Sequence, residues 1–329
     1  MTFMKTEKTD SITKTSNRGV SASTAARVSL PDEDGDELRP VDVQDPTPDE
    51  EPKLATLVSK RLYQKSPKEA ALDKMLLKRA GTGLLGRVVH SMINDSLIAS
   101  MQNYANIVSI QRLGYNDHGP VHARIVALNC MRIFEILREA GVKPSIVAEE
   151  VGDPEDSMVA IFIAAFLHDL GMSVARHDHE QQSIILGDQM ILKHLGNVYQ
   201  DEGKVYMLRS LVAECILGHM GHYRVHSVEA GIVMVGDGTD CTKGRSMIPQ
   251  QIARNPMIGD IHRFSASAID SVHIRPGRNK PVRIDVMMNA TSGLFQVEEV
   301  LMGKAKMSPI MNHLEIAAHF DGQERLYLR

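Results

Sequence analysis

Residues Ile161–Met172 read IFIAAFLHDLGM, and this stretch decides how the rest of the chain is read. Ten apolar residues, Met158 to Leu167, run into an adjacent His168–Asp169 pair and then Gly171. Ten residues are too few to span a bilayer, and the run contains no turn residue, so a buried helix is predicted. Gly171 is expected to stop that helix in the left-handed position that glycine fills at least cost. An imidazole and a carboxylate then sit in the last helical turn, near core depth. Burying either without a partner is costly. A divalent cation would satisfy both, and the negative end of the helix dipole would favour it. An isolated His-Asp pair is more often a capping or pairing helix end than a metal site, so the flanking sequence has to decide.

Upstream lies LGYNDHGPVHARIVALNCMRIFEILREAG, residues 113–141. Asn116 and Asp117 are cap-type residues, Pro120 is tolerable only in a first turn, and Gly141 marks the end. Val121, Ile125, Leu128, Met131, Phe134 and Leu137 form its apolar stripe. His118 and His122 are four apart and share a face if both are helical, which is a metal-ligand spacing. Downstream, His179 and Glu180 open another helical pattern that uses Ile184, Ile185, Leu186, Met190 and Leu195. A long apolar helix then ends on His219, with His222 and His226 just beyond. Residues 228–235 form a further apolar helix leading to Asp237 and Asp240, and Lys243, Gly244 and Arg245 follow. Four apolar helices thus each deliver an imidazole or a carboxylate at one end. Core packing alone disfavours these residue types there.

The order H…HD…D, carried by RLGYNDHGPVHARIVALN, HDLGMSV and GDGTDCTKGRS, resembles the HD-domain metal-dependent phosphohydrolase superfamily over residues 115–245. Its motifs look most like those of the little-characterised HD-domain proteins common in archaea. The resemblance implies a mainly α fold, a helical bundle around a metal site. It implies His122, His168, Asp169 and Asp237 as metal ligands, with Asp237 favoured over Asp240 because it directly follows the apolar helix. His118 sits where cyclic-nucleotide phosphodiesterases of the superfamily place a leaving-group acid. Relatives that hold two or more metals add histidines at positions matched by His179 and His219.

The whole chain has 329 residues, 43% of them hydrophobic, with no Trp and 19 Met, which suits an aliphatic helical core. Residues 1–53 hold 7 Lys/Arg against 12 Asp/Glu, leaving 30 against 29 for the remainder. So balanced a body offers no footprint for bulk nucleic-acid binding. The tail, Ser/Thr-rich and then acidic with prolines, is predicted to be disordered. Glu7 and Asp10 argue against a transit peptide. Cys130, Cys215 and Cys241 build neither a disulfide framework nor a CxxC knuckle. No signal peptide or membrane span is evident, and a cytoplasmic location is expected.

Residues 54–258 are assigned to a helical domain, with helices over 54–65, 69–79 and 86–112; His90 in the last is a surface or core histidine. Residues 259–329 are assigned to a small α+β domain. It opens with a short helix near Ser265–Asp270, has strands at Val272–Ile274, Pro281–Met288 and Leu314–Phe320, and includes a helical FQVEEVLMGKAK. Its His262, His273, His313 and His319 lack ligand spacing.

The leading expectation is hydrolysis of a small phosphorylated, nucleotide-like substrate with one or two divalent cations (Mn, Fe, Mg, Ni or Co). In this reading Asp169 orients the attacking water, His118 protonates the departing oxygen, and Lys243 and Arg245 hold phosphate oxygens. Two rivals are a di-iron oxygenase on the same scaffold and a non-catalytic metal- or nucleotide-binding regulator. No membrane partner is expected, and homo-oligomerisation is left open.

Overall fold

A helix that is apolar on every face has to be surrounded, and the helix carrying the HD pair is enclosed on all sides. The computed structural model describes residues 65–242 and 264–329, with the backbone alone of 27–31, 38–42 and 261–263. In chain order the elements are β1 (Arg27–Pro31), β2 (Leu38–Asp42), α1 (Pro67–Ala80), α2 (Leu84–Ile93), α3 (Ser96–Ile107), α4 (Pro120–Glu139), α5 (Pro154–Leu167), α6 (His179–Gly196), α7 (Glu202–Gly218), α8 (Val228–Gly238), α9 (Ile261–Ala266), β3 (Ile269–Pro276), β4 (Val282–Met288), α10 (Met302–Met307), β5 (Leu314–Phe320) and β6 (Gln323–Leu328). The protein is mostly helical, with a small sheet near its C-terminus.

Helix α5 starts on a capping box in which Asp153 and Asp156 satisfy each other's backbone N–H groups, and Pro154 occupies the first turn. Residues 157–167 are all buried against α4, α7 and α8. By length and composition Pro154–Ser173 could cross a membrane, but 94% of that window lies inside the protein. Arg124 on α4 ties the bundle together. It is buried, donates to Asp73 Oδ1 of α1 at 2.7 Å and to the Pro120 carbonyl at 2.9 Å, and lies 5.1 Å over the Phe166 ring of α5.

The C-terminal sheet has the order β3-β4-β5-β6; its outer pairs are antiparallel and β4–β5 is parallel. A parallel pair requires a long crossover. Here it spans 289–313, with a π-helical stretch at Gln296–Leu301 running into α10, and packs against α8. Strands β3 and β4 lie against α4, and one apolar cluster runs from the bundle into the sheet without a break.

Several expectations need correction. Gly171 does not occupy a left-handed cap: its φ is not positive, and after His168 the chain enters a 3-10 turn, Leu170–Ser173. A Cβ at Gly171 would instead collide with the backbone carbonyl of His179, so glycine is required by close approach. The segment 86–112 is two helices, because Asp95 caps a new start by accepting from the Leu97 and Ile98 N–H groups. The short helix expected near Ser265–Asp270 is α9, and Ile269 already belongs to a strand. Strand β6 was not expected; its polar sequence QERLYL lacks the alternation that marks a half-buried strand. Within residues 1–53, for which composition predicted no structure, β1 and β2 pair antiparallel, with Val28 opposite Val41. The rest of the tail, residues 54–64, and Lys243, Gly244 and Arg245 lie outside the described residues.

Candidate metal centre

Helix ends supply the site. His122 projects from the first turn of α4, behind Pro120 and the Gly119 cap. His168 ends α5 and Asp169 follows it into the 3-10 turn. His179 is the first residue of α6, preceded by Asp178 in a left-handed conformation (φ 54°). His219 closes α7, and Asp237 lies in the last turn of α8. All six expected ligands converge and are buried.

Asp169 is the hinge of the arrangement. Its Oδ2 lies 3.2 Å from the Nε2 atoms of both His122 and His168. Its Oδ1 lies 3.2 Å from His179 Nε2 and 3.7 Å from His219 Nε2. Asp237 Oδ1 approaches His122 Nε2 at 3.2 Å and His168 Nε2 at 3.6 Å. Within each pair the imidazoles are equally close: 3.2 Å for His122–His168 and 3.0 Å for His179–His219.

The outer ring nitrogens fix the chemistry. Nδ1 of His168, His179 and His219 donates to the carbonyl of Ala165, Arg176 and Ile216 respectively, each three residues back and 2.7–2.9 Å away. His122 Nδ1 donates to Asp240 Oδ2 at 2.6 Å. With Nδ1 so committed, a neutral imidazole presents its Nε2 lone pair to the centre, as metal-bound histidines do. Imidazole nitrogens and two carboxylates packed this closely require positive charge among them, from a proton or from a cation. Asp169 Oδ2 is in addition buried without a hydrogen-bond donor. These residues therefore form buried groups that could hold a metal ion.

The electrostatics agree. Burial opposes charge on His168, yet Asp169 and Asp237 outweigh it and raise the imidazole to about 9. Burial lowers His219 to about 4, aided by His168 and His179 and opposed by Asp169. Burial pushes the carboxyls of Asp169 and Asp237 up. The surrounding imidazoles, His168 foremost, together outweigh that for Asp169, and Lys304 with His122 and His168 for Asp237, so both lie well below the ordinary range. The cluster attracts positive charge.

Above it opens a cavity of about 490 Å³, walled by residues from the bundle (among them Tyr115, His118 and Arg176) and from the crossover (Gln296, Glu299 and Lys304). His118 precedes α4, so the condition for sharing a helical face with His122 is not met. Its Nδ1 lies 2.7 Å from the Asn116 carbonyl and 3.0 Å from Ser109 Oγ. His90 is exposed, as are His222 and His226; His222 contacts Glu180 at 3.0 Å. Sequence reasoning missed Lys304, whose ammonium is buried against Asp237 Oδ2. It also missed Ser183, which donates to the His168 carbonyl and accepts from the Gly171 N–H, clamping the HD turn. Neither has a local signature, since each is identified only by what it meets in space.

Fold and site together define a mainly helical protein with a buried histidine–aspartate cluster that could hold a metal ion. The chain is 36% identical over 245 residues to "Uncharacterized protein MJ1020" of Methanocaldococcus jannaschii, an alignment covering 74% of this chain and 93% of that protein, and it belongs to the same family. No protein-family model matches the chain. No solved structure matches it either.

Proposed function

We propose that this protein is a metal-dependent phosphohydrolase of the HD-domain superfamily, acting on a small phosphorylated and nucleotide-like substrate. The observation that carries the reading is Asp169, which gives one oxygen to each of two histidine pairs at the foot of a cavity. His122, His168, Asp169 and Asp237 would hold the first cation, and Asp169, His179 and His219 a second. Four imidazoles favour Mn, Fe, Co or Ni over Mg, which prefers oxygen ligands. Cations held there supply Lewis acidity toward a phosphoryl oxygen and lower the pKa of the attacking water.

The chain does the rest. As the water oxygen bonds to phosphorus and the ester P–O bond breaks, His118 protonates the departing oxygen from the cavity wall. Asn116 and Ser109 hold its ring in place. Lys243 and Arg245, which follow Asp240 in sequence, stay candidates for phosphate contacts.

The test is elemental analysis of protein purified without chelators, followed by a phosphoester panel with each cation. Stoichiometric metal and phosphate release are expected. The same bridged His/Asp set also suits a di-iron centre, so oxygen uptake by iron-loaded protein without phosphate release would transfer the assignment to an oxygenase. Metal binding with a large thermal shift and no turnover of any kind would make the protein a regulator.

A further inference from the structure

We propose that Arg176 is the anion-binding residue of the cavity, taking the phosphate group of the substrate. The proposal rests on the phosphohydrolase reading and deepens it. Arg176 lies in the turn between the HD motif and α6, and its main chain and side chain face different tasks. Its carbonyl accepts from His179 Nδ1 at 2.9 Å and so orients a candidate metal ligand. Arg176 lines the cavity that holds Asp169 and Asp237, and its guanidinium meets Met220 and Tyr115, which line it too. Backbone and side chain therefore bring a cation next to the centre in a fixed register with it.

The surroundings of that guanidinium are unusual for a half-buried arginine. It touches the sulfurs of Met172 and Met220, each at 3.9 Å, and lies 5.4 Å over the Tyr115 ring. Among the described residues it meets no carboxylate. Thioethers are weak acceptors, so most of its five N–H donors are unsatisfied by protein. The Tyr115 ring holds the face of the group, and the two thioethers at Nη1 are weak acceptors that an anion's oxygens would displace readily.

A second cation shares this wall. Lys304 Nζ lies 4.0 Å from the same Met220 sulfur, so the two nitrogens are within about 8 Å of each other. Lys304 is committed to Asp237, whereas Arg176 has no such partner. With Lys304 already neutralised by Asp237, Arg176 is the cation on this wall that meets no carboxylate among the described residues, and a bound anion would compensate it. The planar fork of arginine matches phosphate oxygens in a bidentate fashion that lysine cannot reproduce. Glu299, the exposed acid on the crossover side of the cavity, would oppose binding of a second anion rather than supply one.

Calorimetric titration of orthophosphate into the full-length, metal-loaded protein tests this, with metal content measured on the same samples. Wild type should bind saturably. Arg176→Ala should weaken binding at least tenfold with metal content unchanged, and Arg176→Lys should fall between. Arg112→Ala should match wild type, since Arg112 also lies over a tyrosine ring (Tyr104, 5.6 Å) but outside the cavity. Wild-type affinity in Arg176→Ala overturns the proposal, as does absence of phosphate binding by the wild type. Loss of metal along with phosphate in Arg176→Ala also overturns it, because the arginine would then serve the centre. If wild-type protein takes up no metal, the hydrolase reading fails separately. The titration then runs on the metal-free chain, where Arg176 stands or falls by the same comparison.

Discussion

At the scale of single residues, Asp169 and Asp240 have different jobs although both are buried beside the same histidines. Asp169 divides its oxygens between two imidazole pairs, so Asp169→Ala should empty both cation positions. His179→Ala removes a ligand from one pair only and should leave one cation per chain. Elemental analysis of the two variants beside wild type checks this, and equal metal content in all three would rule out a bridging role. Asp240 meets His122 at its outer nitrogen, away from the inner nitrogens that face Asp169. Asp240→Ala should therefore keep the full metal count at saturation while lowering affinity about 10–100-fold, measured by chelator competition.

At the scale of elements, the turn after α5 works because Gly171 carries no side chain where the α6 backbone comes closest. Gly171→Ala would place a methyl group against the His179 carbonyl, a backbone atom that cannot rotate away. The first turn of α6 must then shift, at a cost of about 1–3 kcal/mol, and His179 shifts with it. Gly141→Ala is the contrast. It is strained at φ 82° but meets nothing within 4 Å, so it should lower the melting temperature without changing metal content. The C-terminal sheet makes its own prediction. Burial pushes Asp285 up, but bonds from His319 and Arg283, with Arg275 near, hold its carboxyl below the usual range. Its folded state thus binds a proton less readily than its unfolded state. The stability this gives is complete above about pH 4 and is lost as pH falls through the depressed folded value. Melting temperature should fall less between about pH 5 and 2 for Asp285→Asn than for wild type.

At the scale of the whole molecule, the C-terminal unit is part of the centre. The parallel pairing of β4 with β5 forces a long crossover, and the crossover carries Lys304 onto Asp237. Lys304→Met should destabilise the metal-free protein by about 3–5 kcal/mol, since it leaves a buried carboxylate without its compensating charge. A cation bound at the centre would restore that compensation. The metal-induced rise in melting temperature should therefore be larger in Lys304→Met than in wild type. A smaller rise would show that Lys304 supports metal binding directly.

Much of this centre can be read along the chain, and the reason is local. Helix ends are set by neighbours in sequence: Pro120 and Gly119 open α4, Asp153 and Asp156 cap α5, and the apolar run to Leu167 delivers His168 and Asp169 at its end. Those patterns bring imidazoles and carboxylates to buried termini whatever the remaining packing. Which termini meet is another matter. His122 and Asp240 are 118 residues apart and Lys304 and Asp237 are 67 apart, and no spacing rule relates them. Asp237 and Asp240 are both plausible ligands from the end of α8, and only the packed structure turns one toward the inner nitrogens and the other toward the outer one. Gly171 shows the same limit from the other side: its place after a helix suggests a left-handed cap, but the approach of α6 gives the actual reason for glycine. Helices and their polar ends follow from short-range sterics and hydrogen bonding, which sequence encodes directly. The centre itself follows from close packing between distant segments, which only the folded chain decides.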